Sequence, residues 1–249
     1  MKKIIVLIFS ILFISPVYAD LEGDLYQTLA DFVQNPKMFF MDIQYDTEDN
    51  FPAWEQNSSI QTNALFQLFG IGNLSFKSEV LSEDLAFPQI TASINGWYFW
   101  GLKLLTQIPA LKKAKDINIY GFSPSLTVRK SVNEELSLFA GAKLSVGHIG
   151  FDFRDVVREE ISSQSLKNLI ENSSYQNKTY IIPGCYIGMG ILPEANSYLA
   201  VQLGYQFIEQ RLYAKIIAGW EYWELGLGLY PDSVIILHPM VNFTYKFDI

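Results

Sequence analysis

The stretch from Val234 to Ile249 limits what this chain can fold into more than any other. Leu237, Pro239, Val241, Phe243, Tyr245, Phe247 and Ile249 alternate with His238, Met240, Asn242, Thr244, Lys246 and Asp248. A period of two places the first set on one face of a β-strand and the second on the other. One face is apolar and ends in aromatics. The other is mostly polar and carries charge.

The same pattern recurs upstream. Met38–Tyr45 reads as a first strand with Phe39, Met41, Ile43 and Tyr45 on one face and Asp42 and Gln44 on the other. A second strand alternates Ile60, Thr62, Ala64, Phe66 and Leu68 with Gln61, Asn63 and Gln67. A tight turn at Gly70–Gly72 leads to a third, with Leu74, Phe76 and Val80 opposite Asn73, Lys77 and Glu79. Asn95-Gly96 is a hairpin signal, predicting a fourth strand near Gln89–Ile94 and a fifth from Trp97 to Thr106. Further strands are expected at Ile117–Lys130, Leu136–Val146, Lys178–Leu192, Tyr198–Phe207, Arg211–Trp220, Leu225–Tyr230 and Val234–Ile249. That makes twelve, with ten as the conservative count.

On no strand does the apolar face carry an Asp, Glu, Lys or Arg within its apolar band. A lipid-facing Arg or Lys at the bilayer midplane costs roughly 2–4 kcal/mol. The connections also sort by parity. Those after even strands, at 70–73, 95–96, 131–134, 193–196 and 221–224, are short. Those after odd strands include 46–57, 81–88, 108–116 and 151–177, the longest of all. Short turns on one side and longer loops on the other suit a transmembrane barrel. An open sheet would leave backbone groups unpaired in lipid.

The closing strand resembles that of Gram-negative outer-membrane β-barrel proteins, which is rich in aromatics and ends in Phe where this chain has Ile249. The resemblance is one of pattern and covers the chain beyond its first residues. It implies an all-β, antiparallel transmembrane barrel in the outer membrane, surrounded by its lipid. It also implies recognition of the C-terminal strand 234–249 by the barrel-assembly machinery.

The N-terminus fits export. Lys2 and Lys3 precede the apolar run Ile4–Ile14, and Val17-Tyr18-Ala19 offers a small-residue cleavage site, so residues 1–19 read as a signal peptide. Residues 20–36 form a short helical segment, with Leu25, Leu29, Phe32 and Val33 on one face and Pro36 as its stop. The barrel is expected over 37–249, with 151–177 as a long extracellular loop. Without Lys2 and Lys3, 16 basic residues face 26 acidic ones, a net of −10, which argues against nucleic acid as a partner. Cys185 is the only cysteine, so no internal disulfide is available.

The inventory disfavours an enzyme. The outer-membrane phospholipases, which this chain resembles in size, pair a His with a Ser two residues on. His148 is followed by Ile149 and Gly150, and His238 by Pro239 and Met240. One Cys and two His make no Cys/His metal cluster, and no cofactor is expected. Inward-facing glycines such as Gly188, Gly190, Gly204, Gly226 and Gly228 read as room for aromatics such as Tyr186 and Tyr213, not as a phosphate loop.

The charged inward residues then define the candidate site. Asp42, Lys77, Lys103, Arg129, Lys143, Lys215, Glu221 and Lys246 are expected to line the lumen. Tyr45, Tyr120, Trp220, Tyr245 and Phe247 are expected as interfacial aromatics. The first functional expectation is a porin-like channel for small polar solutes, with a basic lean favouring anions. The alternative is a closed structural or surface-interaction barrel acting through the 151–177 loop. A lipid-modifying enzyme comes last.

Overall fold

The computed structural model describes residues 58–68, 70–101, 103, 107, 112–155, 175–194, 197–232 and 236–247. Within them lie ten strands: β1 (Ser58–Asn63), β2 (Ile71–Leu81), β3 (Gln89–Phe99), β4 (Lys115–Ser131), β5 (Leu136–Asp152), β6 (Tyr175–Glu194), β7 (Ser197–Gln206), β8 (Arg211–Trp220), β9 (Trp223–Leu229) and β10 (Leu237–Phe247). Each pairs antiparallel with its neighbours in sequence, and β1 pairs with β10 to close the ring. The fold is an all-β closed barrel of ten strands, the conservative count. The signal peptide 1–19, the helical segment 20–36, the strand at Met38–Tyr45 with Asp42 and Tyr45, and most of the long loop lie outside the described residues.

The main correction concerns Asn95-Gly96. There is no hairpin there: β3 runs straight through it, with Asn95 opposite Ser75 on one side and Ser123 on the other. Strand length explains the outcome. A membrane-spanning strand needs about 9–11 residues, and Gln89–Ile94 alone falls short. The uninterrupted β3 has 11, and positive φ is not required at either residue.

Merging those two strands also changes which connections share an end. Residues 64–70, 100–114, 153–174, 207–210 and 230–236 join strands at one end; 82–88, 132–135, 195–196 and 221–222 join them at the other. The 82–88 turn therefore moves to the short-turn end and the turn before Ile71 to the other, so the sorting by length is weaker than expected; what remains is that the two longest connections, 100–114 and 153–174, share an end. The start of β1 and the end of β10 also lie at the short-turn end.

A second correction lies after Asn63, where the expected strand stops. Ala64–Leu68 is a one-turn helix, α1, capped by Asn63, whose Oδ1 accepts from the Phe66 N–H at 3.2 Å. Gln67 is exposed there and does not face inward. The expected loop 151–177 is also shorter, because β5 extends to Asp152 and β6 starts at Tyr175.

Burial follows the strand period with its sign reversed relative to a water-soluble barrel. On β4, Tyr120, Phe122, Leu126 and Val128 are exposed outward while Ser123, Thr127 and Arg129 are buried inward. On β9, Leu225, Leu227 and Leu229 point out and Glu224 points in. Among the described residues, no Asp, Glu, Lys or Arg lies outward between the first and last apolar residue of any strand. The four prolines of the described strands fall where a ladder lapses, as a residue without N–H requires. Pro124 sits where the β4–β5 register skips from Phe122 to Ser125. Pro183 sits just before β7 pairing begins at Gly184, Pro193 lies in the β6–β7 register skip between Ile191 and Glu194, and Pro239 lies beyond the reach of β1.

Candidate functional site: the barrel lumen

The inward wall is built on a size alternation. Gly141 faces Tyr186 across β5 and β6, Gly188 faces Phe139, Gly204 faces Tyr213 across β7 and β8, and Gly219 faces Tyr198. A Cβ on any of these glycines would fall within 2.0–2.3 Å of the opposing ring, closer than two carbon atoms can approach. The rings therefore lie flat across the neighbouring strand, against the inner wall. Phe139, Tyr198, Ala200 and Ile217 form a buried apolar cluster with Tyr186 packed against it.

Polar groups occupy the rest of the interior in three sets. Near the short-turn end, Glu224 Oε2 accepts from Gln61 Nε2 and from Asn242 Nδ2, the latter at 3.1 Å, which ties β1, β10 and β9 together. At mid-barrel, Lys143 Nζ donates to Tyr213 Oη at 2.8 Å and lies 4.5 Å from the ring centroid. Lys215 Nζ lies 5.6 Å from that same centroid, so two cations share one tyrosine. Arg211, on the same inward phase of β8, is buried one layer further towards the long-loop end.

The third set closes the rim at the short-turn end. Arg129 Nη2 donates to Glu83 Oε2 at 2.9 Å, and Glu83 also accepts from the Ser131 N–H and Oγ–H at 2.8 and 2.9 Å. Partial burial raises the Glu83 pKa, but these donors and the Arg129 charge outweigh it and hold the carboxyl below its usual range. Asp84 caps the same turn, accepting from the Ala86 and Phe87 N–H groups at 2.7 Å each.

Of the residues read as lumen-lining, Lys77, Arg129, Lys143 and Lys215 are buried inward, and Lys246 is half-buried on the inner phase opposite Ser59. Two are corrected. Glu221 is exposed in the β8–β9 turn with φ of 29° and does not face the lumen. The inward acid of β9 is Glu224, legible from the phase of Leu225, Leu227 and Leu229 once β9 is carried back to Trp223. Lys103 lies beyond β3, exposed, with its Nζ 5.3 Å from the Tyr98 ring; β3 ends at Phe99, before the inward phase reaches it. Arg211 was legible too, since it shares the phase of Lys215.

The aromatic belt residues within the described ring all point outward. Tyr120 stacks on His148 at 5.1 Å, Trp220 on Trp223 at 5.1 Å, and Tyr245 on Phe247 at 6.3 Å. The first pair lies towards the long-loop end and the other two at the short-turn end. His148 Nδ1 shares a hydrogen bond with Thr179 Oγ1 at 3.3 Å.

At the long-loop end, β4, β5 and β6 have 17, 17 and 20 residues, against 7 to 11 in β2, β3 and β7–β10. This wall is raised. On its top, Arg154 Nη2 pairs with Asp152 Oδ2 at 2.6 Å, its guanidinium lies 4.7 Å from the Tyr175 ring, and Lys115 pairs with Asp155 at 2.6 Å.

No family model matches the chain, and no curated protein was found as a relative. Among solved structures it is similar to a major outer membrane protein from Thermus thermophilus, at 11% identity over 77% of this chain and 98% of that one, with a TM-score of 0.31. A likeness of that size leaves the ring to be read from its own register.

Proposed function

We propose that this chain is an outer-membrane β-barrel protein that is closed to bulk water in the conformation described and works through its raised rim and the connection at 153–174. The observation that carries this reading is the burial of inward polar side chains. Gln61 and Lys77 are 2% exposed, Lys215 1% and Gln206 0%. Side chains lining an open aqueous path would be wetted. The outward belt without charge supports the membrane assignment. The paired charges of Arg154, Asp152, Lys115 and Asp155 support the surface-acting part, because they hold the base of the connection in place.

A porin-like channel for small polar solutes is the second reading. The inward cations Lys77, Arg129, Lys143, Arg211 and Lys215 favour it, and they would select anions. No catalytic role is proposed for His148, which stacks on Tyr120 and shares a hydrogen bond with Thr179.

Planar-bilayer recording from refolded protein separates these readings, using chains beginning at Asp20 and at Pro36. Silence from both, with folding verified by heat-modifiable migration, is the expected result. Discrete openings from the longer chain would replace the closed barrel with a channel. Openings only from the shorter chain would make residues 20–35 a plug.

A further inference from the structure

The turn at 82–88 carries more apolar surface than a connection in water needs. Leu85 is fully exposed, Phe87 is 59% exposed, and Leu81 and Val132 are exposed as well. On β4 the last outward residue of the apolar belt is Val128, and the next outward residue is Lys130. The turn therefore sits where the belt gives way to the polar end of the barrel.

Between this turn and the end of β4 lies an open cleft of about 560 Å³, lined by Glu83, Asp84, Leu85, Arg129, Lys130 and Ser131. That is within the roughly 300–1,000 Å³ of ligand clefts. Two carboxylates and two cations line it, so its charge is balanced. Glu83 is taken up by Arg129 and Ser131, and the nearby Glu79 by Ser82 and Gln89.

Three polar groups of the lining still have capacity. The Ala86 and Phe87 N–H groups both donate to Asp84 Oδ1 and hold that carboxyl below its usual range, while Oδ2 accepts nothing among the described residues. Lys130 Nζ donates to Asp84 O at 2.6 Å and to Phe87 O at 3.4 Å, and lies 3.7 Å from Glu83 Oε1; an ammonium has a third N–H. Arg129 is 6% exposed, and its Nη2 goes to Glu83. Its buried Nε–H has no acceptor among the described residues, a costly state for a buried donor.

These groups specify an occupant. The Arg129 Nε–H and the Lys130 ammonium call for an oxyanion. Asp84 Oδ2 calls for a cationic N–H donor. Leu85 and Phe87 call for an apolar body beside both. An inorganic anion meets the first demand alone, and a soluble zwitterion leaves the two apolar side chains in water.

We infer that this cleft holds the headgroup of an ethanolamine-type phospholipid from the leaflet at the short-turn end. The phosphate lies on Arg129 and Lys130, the primary ammonium on Asp84, and the acyl chains run past Leu85 and Phe87 onto the belt at Val128. The inference rests on the membrane reading above. A choline headgroup has the same net charge but no N–H to donate, and a glycerol headgroup has no cation.

The test is native mass spectrometry of the refolded chain beginning at Asp20, in detergent micelles with equal amounts of dioleoyl phosphatidylethanolamine, phosphatidylcholine and phosphatidylglycerol. One phosphatidylethanolamine is expected to stay bound per barrel, retained roughly tenfold over either competitor. Asp84→Asn keeps an oxygen for the Ala86 and Phe87 N–H groups but loses the charge, and is expected to abolish that preference. Should this variant lose its heat-modifiable migration, Lys130→Gln takes its place, with the same loss expected. Equal retention of the three lipids, a preference for phosphatidylglycerol, or a preference that survives the substitution overturns the site. Retention of soluble glycerophosphoethanolamine equal to that of the lipid overturns it too, by removing the acyl chains from the recognition. The membrane reading is checked separately, by flotation of the protein with phospholipid vesicles after an alkaline wash. Failure to float sinks that reading and the site with it; flotation with equal lipid retention sinks the site alone.

Discussion

Gly204 has room for a hydrogen and nothing larger: a Cβ there would sit 2.0 Å from Tyr213 Cζ. Tyr213 holds Lys143, so moving the ring also disturbs a buried cation. Gly204→Ala is expected to destabilise the barrel by about 1–3 kcal/mol, the usual cost of overpacking. A double-mutant cycle with Tyr213→Leu should return part of that loss. Equal losses with and without the tyrosine would remove the ring as the cause. Packing at this scale is partly legible in the sequence. Glycines on inward phases suggest room for Tyr186 and Tyr213, because alternation alone fixes which way a strand residue points. Glu224 is hidden for the same reason in reverse: a strand read from Leu225 starts two residues late, which puts the acid in a turn and Glu221 in its place.

The turn at 82–88 gives an element-scale prediction. Glu83 has a lower carboxyl pKa in the folded protein than in the unfolded chain. Its contribution is therefore fully present above the unfolded value of about 4.3 and fades as pH falls through the lower, folded one. The side chains of Arg129 and Glu83 are 7% and 15% exposed, so solvent screens the pair less than a surface bridge, which is worth about 0–1 kcal/mol. Thermal unfolding of Glu83→Gln should start below that of the unaltered chain at pH 7 and converge with it under acid conditions. A gap that persists at low pH would argue against the ion pair. The elements themselves are legible wherever the outward face is long and unbroken, as in β4, β5, β7, β8 and β10. Local signals mislead in two places. Asn95-Gly96 has the composition of a tight turn, but ladders on both sides hold it extended. Ala64–Leu68 keeps a strand-like alternation, yet Asn63 caps a helix there, and a bond between side chain and backbone leaves no trace in periodicity.

At the scale of the molecule, the inverted burial makes stability depend on the medium. Ile216 is outward on β8, opposite Leu227, and 52% exposed. Ile216→Arg is expected to cost roughly 2–4 kcal/mol in a lipid bilayer and much less in small detergent micelles that can hydrate the guanidinium. Urea unfolding in vesicles and in micelles checks this, and an equal cost in both media would count against a lipid-facing wall. The burial of the interior is what the sequence does not reveal at this scale. The inward residues read as lining, and only the structure shows amides such as Gln61 and Gln206 buried there.

The unequal strand lengths bear on the membrane itself. On β5 the outward apolar run from Leu136 to Val146 covers about 34 Å of strand, and on β9 the run from Trp223 to Leu229 covers about 20 Å, at ~3.4 Å per residue. Tilted by about 40°, these become heights of roughly 26 and 15 Å. In the membrane proposed above, lipids around such a barrel would face a tall wall on one side and a low one on the other, so the hydrocarbon layer would dip beside β9 or the barrel would lean. Either response would leave the acyl chains near β9 shortened and disordered relative to those beside β5.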